Sequence, residues 1–133
     1  MYRSDVRLLT FDKGIEILKQ EFEKSKNEYY INVLKNISIN NSTDDIIYLG
    51  WERLNNECIR FLKDALFKLE EEKVTYKIAI MGQDFEDVNT YEYVAPEDEN
   101  KNIPTLYINR TFNENEIETF LKNYEKEIDT IEY

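Results

Sequence analysis

The sequence predicts an α+β fold: one domain spanning residues 1–133, built on a single mixed or antiparallel sheet of about four to five strands with three helices mainly on one face. Three observations carry that expectation. Apolar residues alternate in some segments and recur at three- and four-residue spacing in others, in the order strand, helix, strand, helix, three strands, helix. Ten Tyr, seven Phe and one Trp supply large contact areas to a chain that is only 41% hydrophobic. Three Gly and two Pro leave few forced breaks, and no repeat, linker or low-complexity tract divides the chain.

Asp5 to Leu9 alternates, with Val6 and Leu8 on one side, and reads as a first strand. Thr10 or Asp12 is placed to cap the helix that follows, where Ile15, Leu18, Phe22, Tyr29 and Val33 keep helical spacing. That pattern fits one helix to about Lys35 or two pieces broken near Asn27. Asn40 to Thr43 is a polar, turn-rich segment, and Asp45 to Gly50 is a second strand. Asn55 or Asn56 caps a second helix with an apolar stripe of Cys58, Ile59, Leu62, Ala65, Leu66 and Leu69.

Val74 to Met81 alternates most cleanly, and its second face is apolar enough for a central position in the sheet. Gly82 to Val88 is an acidic turn or loop. Thr90 to Ala95 and Thr105 to Asn109 read as two strands, joined by Pro96 to Pro104 and able to pair as a hairpin. Asn113, with Glu116 three residues on, opens a final helix to about Thr130.

Charge is distributed unevenly along this chain. Residues 1–81 carry 13 Lys/Arg and 14 Asp/Glu, a net of −1, whereas residues 82–133 carry 4 and 14, a net of −10. Such a surface attracts basic partners and repels nucleic acid and anionic membrane. Without any histidine, the chain has no His-based acid/base or nucleophilic system and no His-built zinc site. Its single Cys58 falls in a helical stripe, which predicts a reduced thiol packed as a small hydrophobe. Phosphate-cradling glycine motifs are missing, and no apolar run reaches the roughly 20 residues of a membrane helix. The expectation is a cytoplasmic, non-catalytic protein that needs no cofactor.

Three acidic groups are the candidate binding residues. Asp84, Glu86 and Asp87 follow the Val74–Met81 strand, and Glu97, Asp98 and Glu99 sit in the connection after the next strand. On the last helix, Glu114, Glu118, Glu125, Asp129 and Glu132 fall within about 60° of one another at 100° per residue. That row runs about 27 Å beside an apolar stripe, long enough to present carboxylates where a basic groove expects phosphates. Its other reading is an ordinary solvated helix face. Tyr91 and Tyr93, with Tyr107, join the candidates because Tyr beside an acidic rim is a common interface mixture; their alternative is packing on the sheet.

Small size, strong acidity and a Lys/Asn/Ile-rich background resemble phage-encoded inhibitors of bacterial defence, anti-CRISPR proteins among them. The stretch Ile80-Met81-Gly82-Gln83-Asp84-Phe85-Glu86-Asp87-Val88, with Tyr107-Ile108-Asn109-Arg110, is similar to small phage or mobile-element proteins of low-GC bacteria. Neither likeness transfers a functional residue. The net of −10 in the last 52 residues and the missing catalytic groups, beside the likeness to phage inhibitors, lead to the expectation of a nucleic-acid mimic that binds a basic host protein, with a CRISPR effector nuclease as the specific partner. The alternatives are a small carboxylate-dependent enzyme using Asp84, Glu86 or Asp87 with Mg²⁺, and an oligomeric accessory protein of a mobile element.

Overall fold

The computed structural model describes residues 3–27, 32–43, 45–82, 87–109 and 111–131, with residues 125–131 described by backbone alone. Its elements are β1 (Arg3–Phe11), α1 (Asp12–Lys24), a 3-10 turn (Asn32–Lys35), β2 (Ile39–Ser42), β3 (Ile46–Asn55), α2 (Asn56–Glu71), β4 (Tyr76–Met81), β5 (Val88–Tyr93), a second 3-10 turn (Pro96–Asp98), β6 (Ile108–Asn109), β7 (Thr111–Phe112) and α3 (Glu114–Ile131). The main sheet has the order β2-β3-β1-β4-β5, with every neighbouring pair antiparallel. The fold is α+β. No described helix is long and apolar enough to cross a membrane.

The sheet is covered on both faces. Val6 and Leu8 of β1, Leu49 and Trp51 of β3, and Ile78 and Ile80 of β4 point to one side, against Ile17, Leu18 and Phe22 of α1 and the apolar stripe of α2. On the opposite side, Leu9, Ile46, Tyr48 and Ala79 meet Leu106, Phe112, Ile117 and Leu121. Two helices thus share one face, while α3 and its lead-in cover the other. Strands alternate faces with a period of two, so only β1 and its neighbours need apolar residues at both parities. The run from Val6 to Leu9 meets that requirement, and β1 takes the middle of the sheet.

Several local expectations change. Val74–Met81 contributes β4, which is buried but lies beside the central strand. Asn40–Thr43, read as a turn-rich segment, supplies most of edge strand β2, because Asn40–Ser42 pair with Ile47–Leu49 of β3 despite the poor strand propensity of Asn. No hairpin joins Thr90–Ala95 to Thr105–Asn109. β5 instead pairs with β4 across the acidic connection, and β6 pairs with β7. Helix α1 ends at Lys24, with Lys26 in the left-handed region, so the first helical pattern divides near Asn27; Tyr29 lies outside the described residues.

The helix caps show where local and tertiary demands compete. Asn55 Oδ1 accepts from Cys58 N–H and caps α2, and Cys58 is buried as expected. Neither Thr10 nor Asp12 caps α1. The residue at that position is Phe11, and the Thr10 hydroxyl instead donates to Thr75 O at 2.8 Å. Asn113 stands just before α3, but its Oδ1 accepts from Tyr107 N–H while its amide donates to Thr105 O and Glu116 Oε2. Its side chain therefore ties the lead-in to the helix.

Gly14 yields a counterintuitive prediction. Alanine in a helix is normally favoured over glycine by about 1 kcal/mol. Here a Cβ at Gly14 would stand 2.2 Å from Thr10 Oγ1 and 3.1 Å from Leu69 Cδ2. Gly14→Ala is therefore expected to lose about 1–3 kcal/mol by overpacking, measured by urea unfolding. In a Thr10→Ala background the loss should shrink, because only the tight approaches to Leu69 Cδ2 at 3.1 Å and to the Cβ of residue 10 at 3.3 Å remain, which identifies the hydroxyl clash as the main cause.

Candidate functional site

The uneven charge of the sequence becomes an uneven layer in space. Residues 87–124 build β5, the Pro96–Asp98 turn, the β6–β7 pair and the described side chains of α3, which together form one edge and one covering layer of the sheet. Two cations from the sheet face that layer. Arg7, 5% exposed, donates from Nη2 to Glu52 at 2.9 Å, and its Nε donates to Glu114. Its guanidinium also stacks on the Phe112 ring, 4.4 Å from the centroid. Lys77, also 5% exposed, donates to Ile103 O at 2.9 Å and pairs with Glu92 at 3.0 Å. Both side chains stand on the face away from α1 and α2, where an alternating pattern alone places solvent.

Burial lowers the Arg7 pKa but the paired carboxylates outweigh it, so the guanidinium is held above its ordinary value. Glu114 is the first residue of α3, where the helix dipole also favours a carboxylate. Arg7 and Glu114 therefore pin the start of α3 to the middle of the sheet. That use removes Glu114 from the row of freely presented acids.

The remaining candidates separate. Glu118 is exposed on α3, whereas Glu125 and Asp129 are described by backbone only and Glu132 lies outside the described residues. Glu97 and Glu99 are exposed, but Asp98 is 5% exposed and turned inward. Asp98 accepts from the Thr75 hydroxyl and pairs with Lys101 at 2.8 Å, and Thr75 Oγ1 also accepts from Ala95 N–H. It is a structural carboxylate. Asp84 and Glu86 lie outside the described residues, while Asp87 is half-buried where its O accepts from Gly82 N–H.

Tyr91, 43% exposed, lies beside Lys63 of α2, whose Nζ is 4.6 Å from the ring centroid and 3.3 Å from the hydroxyl. Tyr93 is half-buried and packs on Tyr76 with centroids 6.5 Å apart. Both therefore face the α1/α2 side, opposite α3. Tyr107, 48% exposed, belongs to the α3 side, where a hydrogen bond to Glu116 raises its pKa. Tyr91 and Tyr93 therefore do not share a surface with the acidic row, whereas Tyr107 does lie on its side.

An open cleft of about 510 Å³ lies at the end of the sheet beside the start of α1. Lys13, Lys73 and Lys101 line it together with Glu72, Glu97 and Asp98, so its charges balance. Among the described residues, no group of three or more His, Cys, Asp or Glu is arranged to hold a metal ion. Comparison with protein families, characterised proteins and solved structures finds no match to this chain.

Two buried phenols make stability fall at alkaline pH. Burial, followed by the charge of Glu114, pushes the Tyr48 pKa far up; burial, then the hydrogen bond to Glu70, does the same for Tyr76. The unfolded phenols ionise near pH 10, so their contribution is intact below about pH 10 and is lost as pH rises from there toward the folded values. The Tyr48 hydroxyl has no hydrogen-bond partner among the described residues. Tyr48→Phe should therefore cost little at neutral pH. Its melting temperature should fall less steeply than wild type above about pH 10, as measured by thermal unfolding across that range.

Proposed function

We propose that this protein is a non-catalytic, acidic binding protein that docks its α3 layer on a basic surface of a host nucleic-acid-handling protein, as phage-encoded inhibitors of bacterial defence do. The supporting observation is the net charge of −10 over residues 82–133; among the described residues, those of 87–124 form one edge and one covering layer of the sheet. The two sheet cations facing that layer are engaged by Glu52, Glu114 and Glu92, leaving Glu97, Glu99 and Glu118 presented to solvent. A CRISPR effector nuclease is the specific partner in this reading. Its groove holds a nucleic-acid backbone, and carboxylates spaced along a rigid layer compete for the same Lys and Arg side chains.

The test is competition. An effector nuclease loaded with labelled DNA should release it when this chain is added, and inhibition should weaken as salt rises from about 0.05 to about 0.3 M. A Glu97→Gln, Glu99→Gln, Glu118→Gln variant keeps the Arg7 and Asp98 pairs and should inhibit at least about tenfold less. Undiminished inhibition by that variant, or inhibition indifferent to salt, refutes docking through the acidic layer.

A further inference from the structure

Arg53 is the one described residue that stands in the left-handed region inside a strand, at φ 57°. Lys26 and Lys73 share that conformation but follow the ends of α1 and α2, where chains commonly adopt it, and asparagine tolerates it at Asn102. The β1–β3 register explains the position. Ser4 pairs with Leu54 and Val6 with Trp51, so Asp5 alone faces both Glu52 and Arg53 in a β-bulge. Two β1 side chains hold the bulge. Asp5 Oδ1 accepts from Arg53 N–H at 2.9 Å, and Arg3 Nη1 donates to Arg53 O at 3.0 Å. Both bonds go to the main chain of residue 53, so glycine would serve them equally and without the clash that a Cβ meets there. An arginine strains this backbone, and such strain gathers at ligand sites.

Arg53 and Arg3 line one cleft of about 440 Å³. Val33, Trp51 and Cys58, all buried, and half-buried Leu54 supply its apolar wall. Neither guanidinium belongs to an ion pair among the described residues. Glu52 is the one acid in the lining, and Arg7 holds it at 2.9 Å. Asp5 is engaged by the Arg53 amide, and Glu57, exposed in the first turn of α2, lies outside the lining. Every lining residue comes from the first 81 residues, whose net charge is only −1, so the acid excess that repels anions belongs to the other part of the chain.

We propose that this cleft binds a phosphate dianion, free or as the ester of a small molecule, between the Arg3 and Arg53 guanidiniums. Guanidiniums present planar forks that match phosphate oxygens, and two of them balance two negative charges. The cleft is larger than one phosphate and leaves room for the body of an ester against its apolar wall.

Isothermal titration calorimetry of the full chain with inorganic phosphate and with a nucleoside monophosphate tests the site and separates the two sources. One-to-one binding is expected. The ester binds at least about tenfold tighter where its body enters the cleft, and equally where the phosphate alone is held. Arg53→Gly keeps the bonds to Asp5 and Arg3 and removes the strain. It should melt at or above the wild-type temperature while binding at least about tenfold more weakly. Arg53→Lys keeps the charge without the fork and should fall between the two. Arg60→Gln, exposed on α2 and outside the lining, should leave binding unchanged. No heat from either probe up to about 10 mM overturns the proposal, as does an Arg53→Gly chain that binds like wild type. Equal weakening by Arg60→Gln and Arg53→Gly also overturns it, since that would mean diffuse attraction to positive charge. None of these outcomes bears on the acidic layer, whose residues do not line the cleft.

Discussion

Arg7→Ala is expected to lower stability by about 3 kcal/mol, and to loosen α3 before the rest of the protein. The guanidinium is one of the few groups joining the sheet to the layer over it: it holds Glu114 at the start of α3, holds Glu52 on β3, and lies against Phe112. Removing it strands two carboxylates without their cation and leaves a gap beneath Phe112. The estimate stays below the upper end for buried pairs because Glu114 and Glu52 are 35% and 48% exposed and regain water. Native-state hydrogen exchange should show protection falling most in residues 117–124, with α1 and α2 less affected. Arg7→Lys retains charge but not the planar fork that reaches both carboxylates, so it should recover only part of the loss. Equal loss of protection in all three helices would mean that Arg7 acts on the whole fold and not on α3.

Trp51→Ala should cost about 3–5 kcal/mol, with a further contribution of about 1 kcal/mol from the broken hydrogen bond. Trp51 is 1% exposed in the layer between β3 and the helices, and its Nε1–H donates to Val33 O at 2.7 Å. It therefore fills the core and holds the Asn32–Lys35 turn against it. Trp51→Phe keeps most of the volume but leaves Val33 O without its donor, and should cost about half as much. Trp51 is the only tryptophan, so the variants must be followed by circular dichroism rather than by intrinsic tryptophan fluorescence. If Trp51→Phe proves as damaging as Trp51→Ala, the hydrogen bond, and not the volume, is what the site requires.

The elements with strong local patterns were legible in the chain itself. The stripe from Cys58 to Leu69 makes α2, Asn55 caps it, and the alternation of Val74–Met81 makes β4, because each of these signals is contained within one element. The same holds for the opening of α3 after Asn113 and for the charge imbalance, which depends on composition alone. Tertiary structure decided the rest, wherever a residue's role depends on a group distant in sequence. Asn40 and Asn41 are strand residues only because β3 offers its edge. Thr10 forgoes a helix cap for a carbonyl 65 positions away. Arg7 and Lys77 read as outward-facing strand residues until α3 and its lead-in cover that face. Asp98 and Glu114, indistinguishable in sequence from their exposed acidic neighbours, are drawn inward by Thr75, Lys101 and Arg7. A carboxylate's charge is fixed by its residue type, but whether that charge is presented to a partner or held by a buried cation is set by what the fold places beside it.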